Sequence, residues 1–354
     1  MNDHDAGNEL QQQVQEYVSH QQRIVIKSGD SKSFYGRHCD GQPLDVTSHC
    51  GVIEYEPTEL IIRARCGTRL DDIHTLLRQH NQMLAFEPPA YADTATLGGT
   101  IASGLSGPAR PFYGAARDFV LGVSMINGEG ETCRFGGEVM KNVAGYDVSR
   151  LMTGSLGTLG VILDVSLKVL PRPEVEQTIA YELTERAAIN RTSKLCTQPL
   201  PVTATCFDGN RLYIRLAGTE SGVRAARNTL GGEIIPDEQR FWHKLREHQL
   251  PFFNAEKPIW RLSLAPATPP LELEGKQLIE WRGAQRWLAS SLPANTIRDK
   301  IEQVGGHATL FRNNEGEHNV FHPLSGKLRQ LHMNLKLALD PHCLFNIGRM
   351  YSDF

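Results

Sequence analysis

Two glycine-rich stretches constrain this chain more than any other feature of it. The first reads Thr-Ala-Thr-Leu-Gly-Gly-Thr-Ile-Ala-Ser-Gly-Leu-Ser-Gly from Thr94 to Gly107, and the second Gly-Ser-Leu-Gly-Thr-Leu-Gly-Val-Ile from Gly154 to Ile162. Glycine is costly to order and gives a core no side chain, so clusters of it mark backbone that must come close to something. The small hydroxyl residues among these glycines point to a phosphate held by backbone N–H groups. A Rossmann turn is excluded by spacing. Gly154, Gly157 and Gly160 give G-x-x-G-x-x-G rather than G-x-G-x-x-G, and the sequence that follows has the pattern of a strand, not a helix. Gly326-Lys327 lacks the upstream glycine of a P-loop. Three turns remain, each beside an expected strand: Ser28 to Ser33, Leu97 to Gly104, and Ser155 to Gly160. Together they can wrap a pyrophosphate from several sides without a helix terminus.

Bulk properties narrow the setting. At 354 residues the chain has room for two domains, or for one with a large insertion. A formal net charge of −3 carries no basic surplus of the kind nucleic-acid binders need. No apolar run approaches the roughly 18–20 residues that span a bilayer. Met1 to Gln13 is polar and acidic, without the apolar core of a secretory signal. Cysteines at 39, 50, 66, 133, 196, 206 and 343 are odd in number and contain no Cys-x-x-Cys. Neither a disulfide scaffold nor a zinc or iron–sulfur site is therefore expected, and a reducing cytoplasm is.

Periodicity predicts the elements. A short helix near Val14 to His20 precedes a strand at Arg23–Lys27. Leu44 to Val46, Gly51 to Pro57 and Leu60 to Cys66 alternate apolar and polar residues and read as half-buried antiparallel strands. Thr68 should cap a helix from Arg69 to Gln79 that carries Leu70, Ile73, Leu76 and Leu77 on one face. Gln82 to Phe86 is a strand stopped by Pro88-Pro89. Phe119 to Ile126 and Thr132 to Arg134 form a hairpin turned at Asn127 to Gly130. Val148 to Met152 is a short helix and Val161 to Leu170 a long strand, and Pro171 to Pro173 marks a domain boundary. Beyond it, strands at about 204–207, 212–216, 233–235, 260–264, 277–281, 286–289 and 307–311 alternate with helices at 221–230, 241–248 and 296–304. That pattern predicts an α+β layer, one antiparallel sheet with helices on one face. A last helix, Ser325 to Leu339, ends at Asp340-Pro341.

The sequence resembles the FAD-binding family of the vanillyl-alcohol oxidase / p-cresol methylhydroxylase type from about Ile24 to Pro173. More specifically, it is similar to the E-subunit family of bacterial glycolate oxidases (glycolate dehydrogenases). Five blocks carry that likeness: Phe86-Glu-Pro-Pro89, Thr96-Leu-Gly-Gly99, the run from Arg134 to Asp147, Lys168-Val-Leu-Pro-Arg-Pro173, and Leu339-Asp-Pro341 with Phe345-Asn-Ile-Gly-Arg-Met350. The resemblance implies an α+β fold: a two-subdomain PCMH-type FAD-binding domain over residues 1–173, an α+β cap for substrate or partner over 174–322, and a C-terminal helix and tail, 323–354, returning to the FAD domain. It implies FAD held by Ser28, Gly29, Asp30 and Ser31 of the first turn, and by Thr96, Leu97, Gly98, Gly99, Ala102 and Gly104 of the second. Gly154, Ser155, Gly157, Thr158, Gly160 and Ile162 would run along the adenosine and ribitol portions, with Asn346 toward the isoalloxazine. Some members attach flavin to a histidine just after the first turn's glycines. Here that place reads Asp30-Ser31, and no histidine occurs between His80 and His243, so non-covalent FAD is expected.

By the same resemblance the chain is expected to act in a complex that oxidises glycolate, with D-lactate as a further substrate. Its partners there are a catalytic FAD subunit and an iron–sulfur subunit, and any membrane association is peripheral and through them. A self-sufficient 2-hydroxy-acid dehydrogenase and a scaffold with a vestigial flavin site are the alternatives. No catalytic residue is assigned. His318-x-x-x-His322 has metal spacing, but Asn319 to Pro323 is poorly helical and no metal site is expected. Arg110, Lys141 and Tyr146 read either as facing the flavin or as ordering loops, and His307 either as a base or as a strand-edge residue. Trp281 and Trp287 read as core. Pro251 to Phe253 reads either as a partner surface or as a buried loop.

Overall fold

A computed structural model describes residues 2–137, 147–195, 197–236, 238–313 and 319–354. The run from Arg134 to Asp147 that holds Lys141 and Tyr146 therefore lies largely outside the described residues, as do Cys196 and His318. The chain divides into two compact units. One comprises Met1–Leu105, Ala115–Pro171 and Pro323–Phe354, the other Ser106–Gly114 and Arg172–His322.

The first unit is built on a five-stranded antiparallel sheet in the order Val52–Glu56, Ile61–Arg65, Val161–Lys168, Val120–Ile126, Thr132–Gly136. Val161–Lys168 is central and buried along its whole length except at Lys168, which explains its near-continuous apolar run. The predicted hairpin is present. Asn127 Oδ1 accepts the amides of Glu129 (3.0 Å) and Glu131 (2.9 Å), the side-chain mimicry of a turn that asparagine favours. Leu70–Gln79 is a helix that buries Leu70, Ile73 and Leu77 as its spacing predicts. Thr68 does not cap it, however: the Thr68 hydroxyl instead accepts from the Gly51 amide (2.9 Å), and the helix starts after Arg69.

Other elements differ from expectation for identifiable reasons. Gln42–Asp45 pairs parallel with Ile24–Lys27 in a separate two-stranded sheet, because the chain passes through the Ser28–Ser33 turn and returns in the same direction. The first helix spans Gly7–Ser19, longer than read, since buried Leu10 and Val14 anchor a largely polar sequence. The strand after Gln82 is only two residues long, paired with Leu170–Pro171. The stretch Leu97–Ser103, expected as a turn, is a helix. Thr96 caps it by accepting the Gly99 amide (3.2 Å), Leu97 and Ile101 are buried, and Gly104 ends it in the left-handed region.

The second unit holds an eight-stranded, wholly antiparallel sheet. Its strand Val175–Glu182 and helix Glu185–Leu195 escaped the sequence reading, because their mixed polar residues show neither period cleanly. Ile179, Leu212, Ile214, Phe207 and Ile279 share one core with Ala188, Ile189, Val223 and Ala226, which places helices Glu185–Leu195 and Glu220–Leu230 on that face. Ile297 and Ile301 of helix Ala294–Gln303 pack with Trp260, Leu262 and Leu288, the cross-strand continuation of the same face. The helices are not confined to it. On the other face Trp242, from helix Glu238–Arg246, donates its indole N–H to Thr178 (2.8 Å), and Phe241 stacks on Tyr213.

Candidate functional site

The sequence-predicted turns converge on one cleft of the first unit. It encloses about 930 Å³ including its open mouth. Of the predicted residues, Ser28, Gly29, Asp30, Ser31, Thr96, Gly98, Gly99, Ala102, Gly157, Gly160, Ile162 and Asn346 line it. Leu97, Gly104, Gly154, Ser155 and Thr158 do not; Leu97, Ser155 and Thr158 are buried behind the wall. Sequence reasoning missed Lys27, Cys39, Cys66 and Arg349, and it named Lys32 and Leu156 only as members of the first and third turns. Arg349 had a signal, since it sits in the C-terminal block that carries the family likeness. Lysines have no spacing rule that would have singled them out.

The wall is held by contacts between distant segments. Ser28 Oγ and Thr96 Oγ1 share a hydrogen bond of 2.5 Å, and the Thr94 hydroxyl donates to the Gly29 carbonyl. Asn346 Oδ1 accepts the Ile26 amide (2.9 Å) while its Nδ2 donates to the Leu156 carbonyl (2.7 Å), joining the first strand to the third turn. Arg349 donates to the carbonyls of Ser33, Tyr35 and Arg37 (2.8–2.9 Å) and so shapes the loop that continues the first turn.

The glycines serve two different purposes. A Cβ at Gly29 would lie 1.6 Å from the Thr94 carbonyl oxygen, and one at Gly98 would lie 2.7 Å from Cys66 Cβ. At Gly104 it would meet the Gly154 backbone at 2.9 Å, at Gly157 Asn346 Nδ2 at 2.6 Å, and at Gly160 the Ile126 carbonyl at 2.6 Å. Backbone at these positions approaches protein. Gly99 is different: its nearest neighbours would be Thr96 Oγ1 at 3.3 Å and Ser28 Oγ at 3.9 Å, with the cleft beyond.

Electrostatically the wall carries Lys27, Lys32 and Arg349 against Asp30, a balance that suits an anion. Burial lowers the Arg349 pKa, and Cys39 and Asp30 oppose that shift. Burial pushes the Cys66 thiol up to about 12 and raises that of Cys39, so neither is a ready thiolate. Two segments that run side by side, joined by the Gly154 amide to Ile101 O (3.0 Å) and the Leu156 amide to Ala102 O (2.8 Å), carry buried hydroxyls of Thr100, Thr153 and Ser155. Among the described residues none of the three has a hydrogen-bond partner, and buried hydroxyls ordinarily find one. A glycine open to the cleft and a cationic wall fit a polar, phosphate-bearing ligand.

The comparisons agree with that geometry. The family described as the FAD binding domain matches residues 6–136. A relative from Escherichia coli K12, glycolate oxidase subunit GlcE, is 48% identical over 99% of this chain and 98% of its own length. The chain belongs to the GlcE family of glycolate oxidase subunits. Glycolate oxidase subunit GlcD of Bacillus subtilis is 34% identical over a shorter stretch, 36% of this chain and 27% of GlcD. Among solved structures, p-cresol methylhydroxylase superposes with a TM-score of 0.71 at 15% identity, covering 96% of this chain and 86% of that one. The fold is thus the PCMH-type, two-subdomain FAD-binding domain with an α+β second unit, as the GlcE resemblance implies.

The remaining candidates fall elsewhere. Arg110 belongs to the second unit, where its guanidinium lies 4.5 Å from the Trp281 ring centre. Trp281 and Trp287 are buried; in the short helical turn Pro251–Asn254, Phe253 is buried against His248, Phe252 is half-buried and Pro251 is exposed. His307 lies in the edge strand His307–Arg312, its ring centre 6.5 Å from that of His322. Among the described residues no helix is long and apolar enough to cross a membrane.

Proposed function

We propose that this chain is the FAD-binding subunit of a multi-subunit glycolate-oxidising dehydrogenase, holding FAD non-covalently in the cleft of its first unit. The observation that carries this reading is the convergence of the three predicted turns on one cationic cleft, in a chain 48% identical to GlcE over its whole length. When bound, FAD would supply a two-electron carrier for the reducing equivalents that the complex takes from a 2-hydroxy acid. The chain's own residues bind and orient it. The Ser28–Ser33 turn and Thr96 offer amides and hydroxyls to the pyrophosphate, Gly99 leaves it room, and Lys27, Lys32 and Arg349 offset its charge. Asn346 fixes the spacing of the first and third turns. Non-covalent attachment is supported by the wall itself, which among the described residues carries no histidine and only two protonated thiols.

The partners in this reading are a catalytic FAD subunit and an iron–sulfur subunit, since the chain has no cysteine pattern that could hold a cluster and electrons must leave through another protein. Glycolate is the expected substrate and D-lactate a further one. Adding glycolate anaerobically to the FAD-loaded chain alone should leave the flavin absorbance unchanged, whereas the co-purified complex should bleach. Rapid bleaching of the isolated chain would replace this reading with a self-sufficient dehydrogenase. Acid precipitation should release the flavin to the supernatant, and yellow pellet protein would contradict non-covalent binding.

A further inference from the structure

The C-terminal helix Gly326–Leu339 reverses the usual arrangement of an amphipathic helix. Leu328, Leu331, Leu335 and Leu337 are between 39% and 56% exposed, while the side chain buried beneath the helix is Lys336. A buried ammonium is costly unless every N–H finds an acceptor, and a leucine in its place would need none. Here all three protons are met. Lys336 Nζ donates to Asp340 Oδ2 (2.6 Å), to the Thr158 carbonyl (2.6 Å) and to the Phe345 carbonyl (2.9 Å). Asp340, itself fully buried, accepts the amides of Leu344 and Phe345, each at 2.9 Å. Gly128 packs on it so closely that a Cβ would fall 2.5 Å from Asp340 Cα. Burial lowers the Lys336 pKa and the Asp340 carboxylate works against that shift.

The acceptors matter more than the pair. Thr158 closes the third turn, its hydroxyl donating to the Ser155 carbonyl (2.7 Å), and the turn carries Gly157 and Gly160 of the cleft wall. Phe345 is held at both its N–H and its C=O, and the next residue is Asn346, which grips Ile26 and Leu156. A single ion pair thus clamps the third turn and the residue that ties that turn to the first strand.

We propose that Lys336 and Asp340 are positioning residues for the cofactor: they touch no part of the cleft, and they set FAD affinity and the flavin's surroundings through Asn346 and the Ser155–Gly160 turn. The inference rests on the FAD reading above. Its test is a thermodynamic cycle of FAD dissociation constants on the full chain, comparing wild type, Lys336→Met/Asp340→Asn, Asn346→Ala, and the three changes combined. The double substitution removes both charges while an asparagine oxygen can still accept the Leu344 and Phe345 amides. Each arm should weaken FAD binding about tenfold, the scale of one lost charge-assisted hydrogen bond. The combined variant should be little worse than the weaker single arm, because both act through one contact, and the visible circular dichroism of bound flavin should change alike in both. Unchanged affinity in Lys336→Met/Asp340→Asn, or effects that simply add, would overturn the proposal, since a merely structural pair gives one or the other. If the double variant fails to fold, amide exchange of wild type decides: FAD should slow exchange at Leu344 and Phe345, and protection confined to the cleft strands would overturn it. A wild-type chain that takes up no FAD overturns the functional reading and this inference with it. Wild-type uptake matched by the variant overturns the inference alone.

Discussion

The two glycine segments share a composition and differ in what holds them. Between Thr96 and Gly104 the order is local: a threonine caps a short helix, Leu97 and Ile101 fill the core beneath it, and a left-handed glycine ends it. Between Gly154 and Gly160 there is no helix. Gly154, Gly157 and Gly160 all have positive φ, and the turn is held by Asn346 and Lys336, which lie some 180 residues further along the chain. One wall of the cleft is therefore built by its own sequence, and the other is borrowed from the C-terminal segment. A cofactor site made this way depends on the tail as much as on the motif.

Substitutions at the glycines test that division. The largest effect is expected at Gly29, where a Cβ would sit inside the van der Waals shell of the Thr94 carbonyl. Gly29→Ala should displace the first turn, cost about 3 kcal/mol in urea unfolding and abolish FAD retention. Full retention would mean that the turn moves freely and is not part of the wall. Gly157→Ala and Gly154→Ala form a matched pair, since both carry positive φ but only Gly157 meets a neighbour, Asn346. Gly154→Ala should cost about 1 kcal/mol, the left-handed penalty alone, whereas Gly157→Ala should cost about 2 kcal/mol and also weaken FAD binding. Equal losses would show that the Asn346 contact contributes nothing.

The second unit supplies a control. Burial holds the His248 imidazole well below its ordinary value of 6.5, with Arg312 and Arg261 adding repulsion. Below pH 6.5 the unfolded chain takes up a proton that the folded chain refuses, so stability is fully present above that pH and declines as pH falls beneath it. The decline from this group is at most about 1.4 kcal/mol per pH unit. His248→Phe keeps a ring to stack on Phe253 and should reduce the acid-side slope in urea titrations, with no change in FAD affinity at neutral pH. An unaltered slope would place the acid sensitivity elsewhere.

Much of the cleft was legible because its residues are small and lie in short motifs. Glycine and hydroxyl clusters announce close backbone approach, and the structure gathers most of them around one cleft. What they approach was not legible. At Gly29, Gly98 and Gly160 the neighbour is protein, so the composition that suggests phosphate is satisfied largely by packing. The Leu97–Ser103 helix was hidden by its two glycines, which lower local propensity, while the buried Leu97 and Ile101 decide the outcome. Ser106–Gly114 joins the second unit through contacts such as Trp281 Nε1 to the Gly107 carbonyl (3.0 Å), a partner that no local pattern reveals. Buried Lys336 could not be foreseen either, because a lysine among leucines reads as the solvent side of a helix.

Gly99 gives the most direct measurement, since of the paired Gly98 and Gly99 it alone faces the cleft with room for a side chain. The flavin content of purified wild type and Gly99→Asp should be compared alongside the melting temperatures of the two apo-proteins. The account predicts stoichiometric FAD in wild type and almost none in Gly99→Asp, where a carboxylate would oppose the pyrophosphate, with melting temperatures that agree closely. Wild-type FAD content in Gly99→Asp would contradict it.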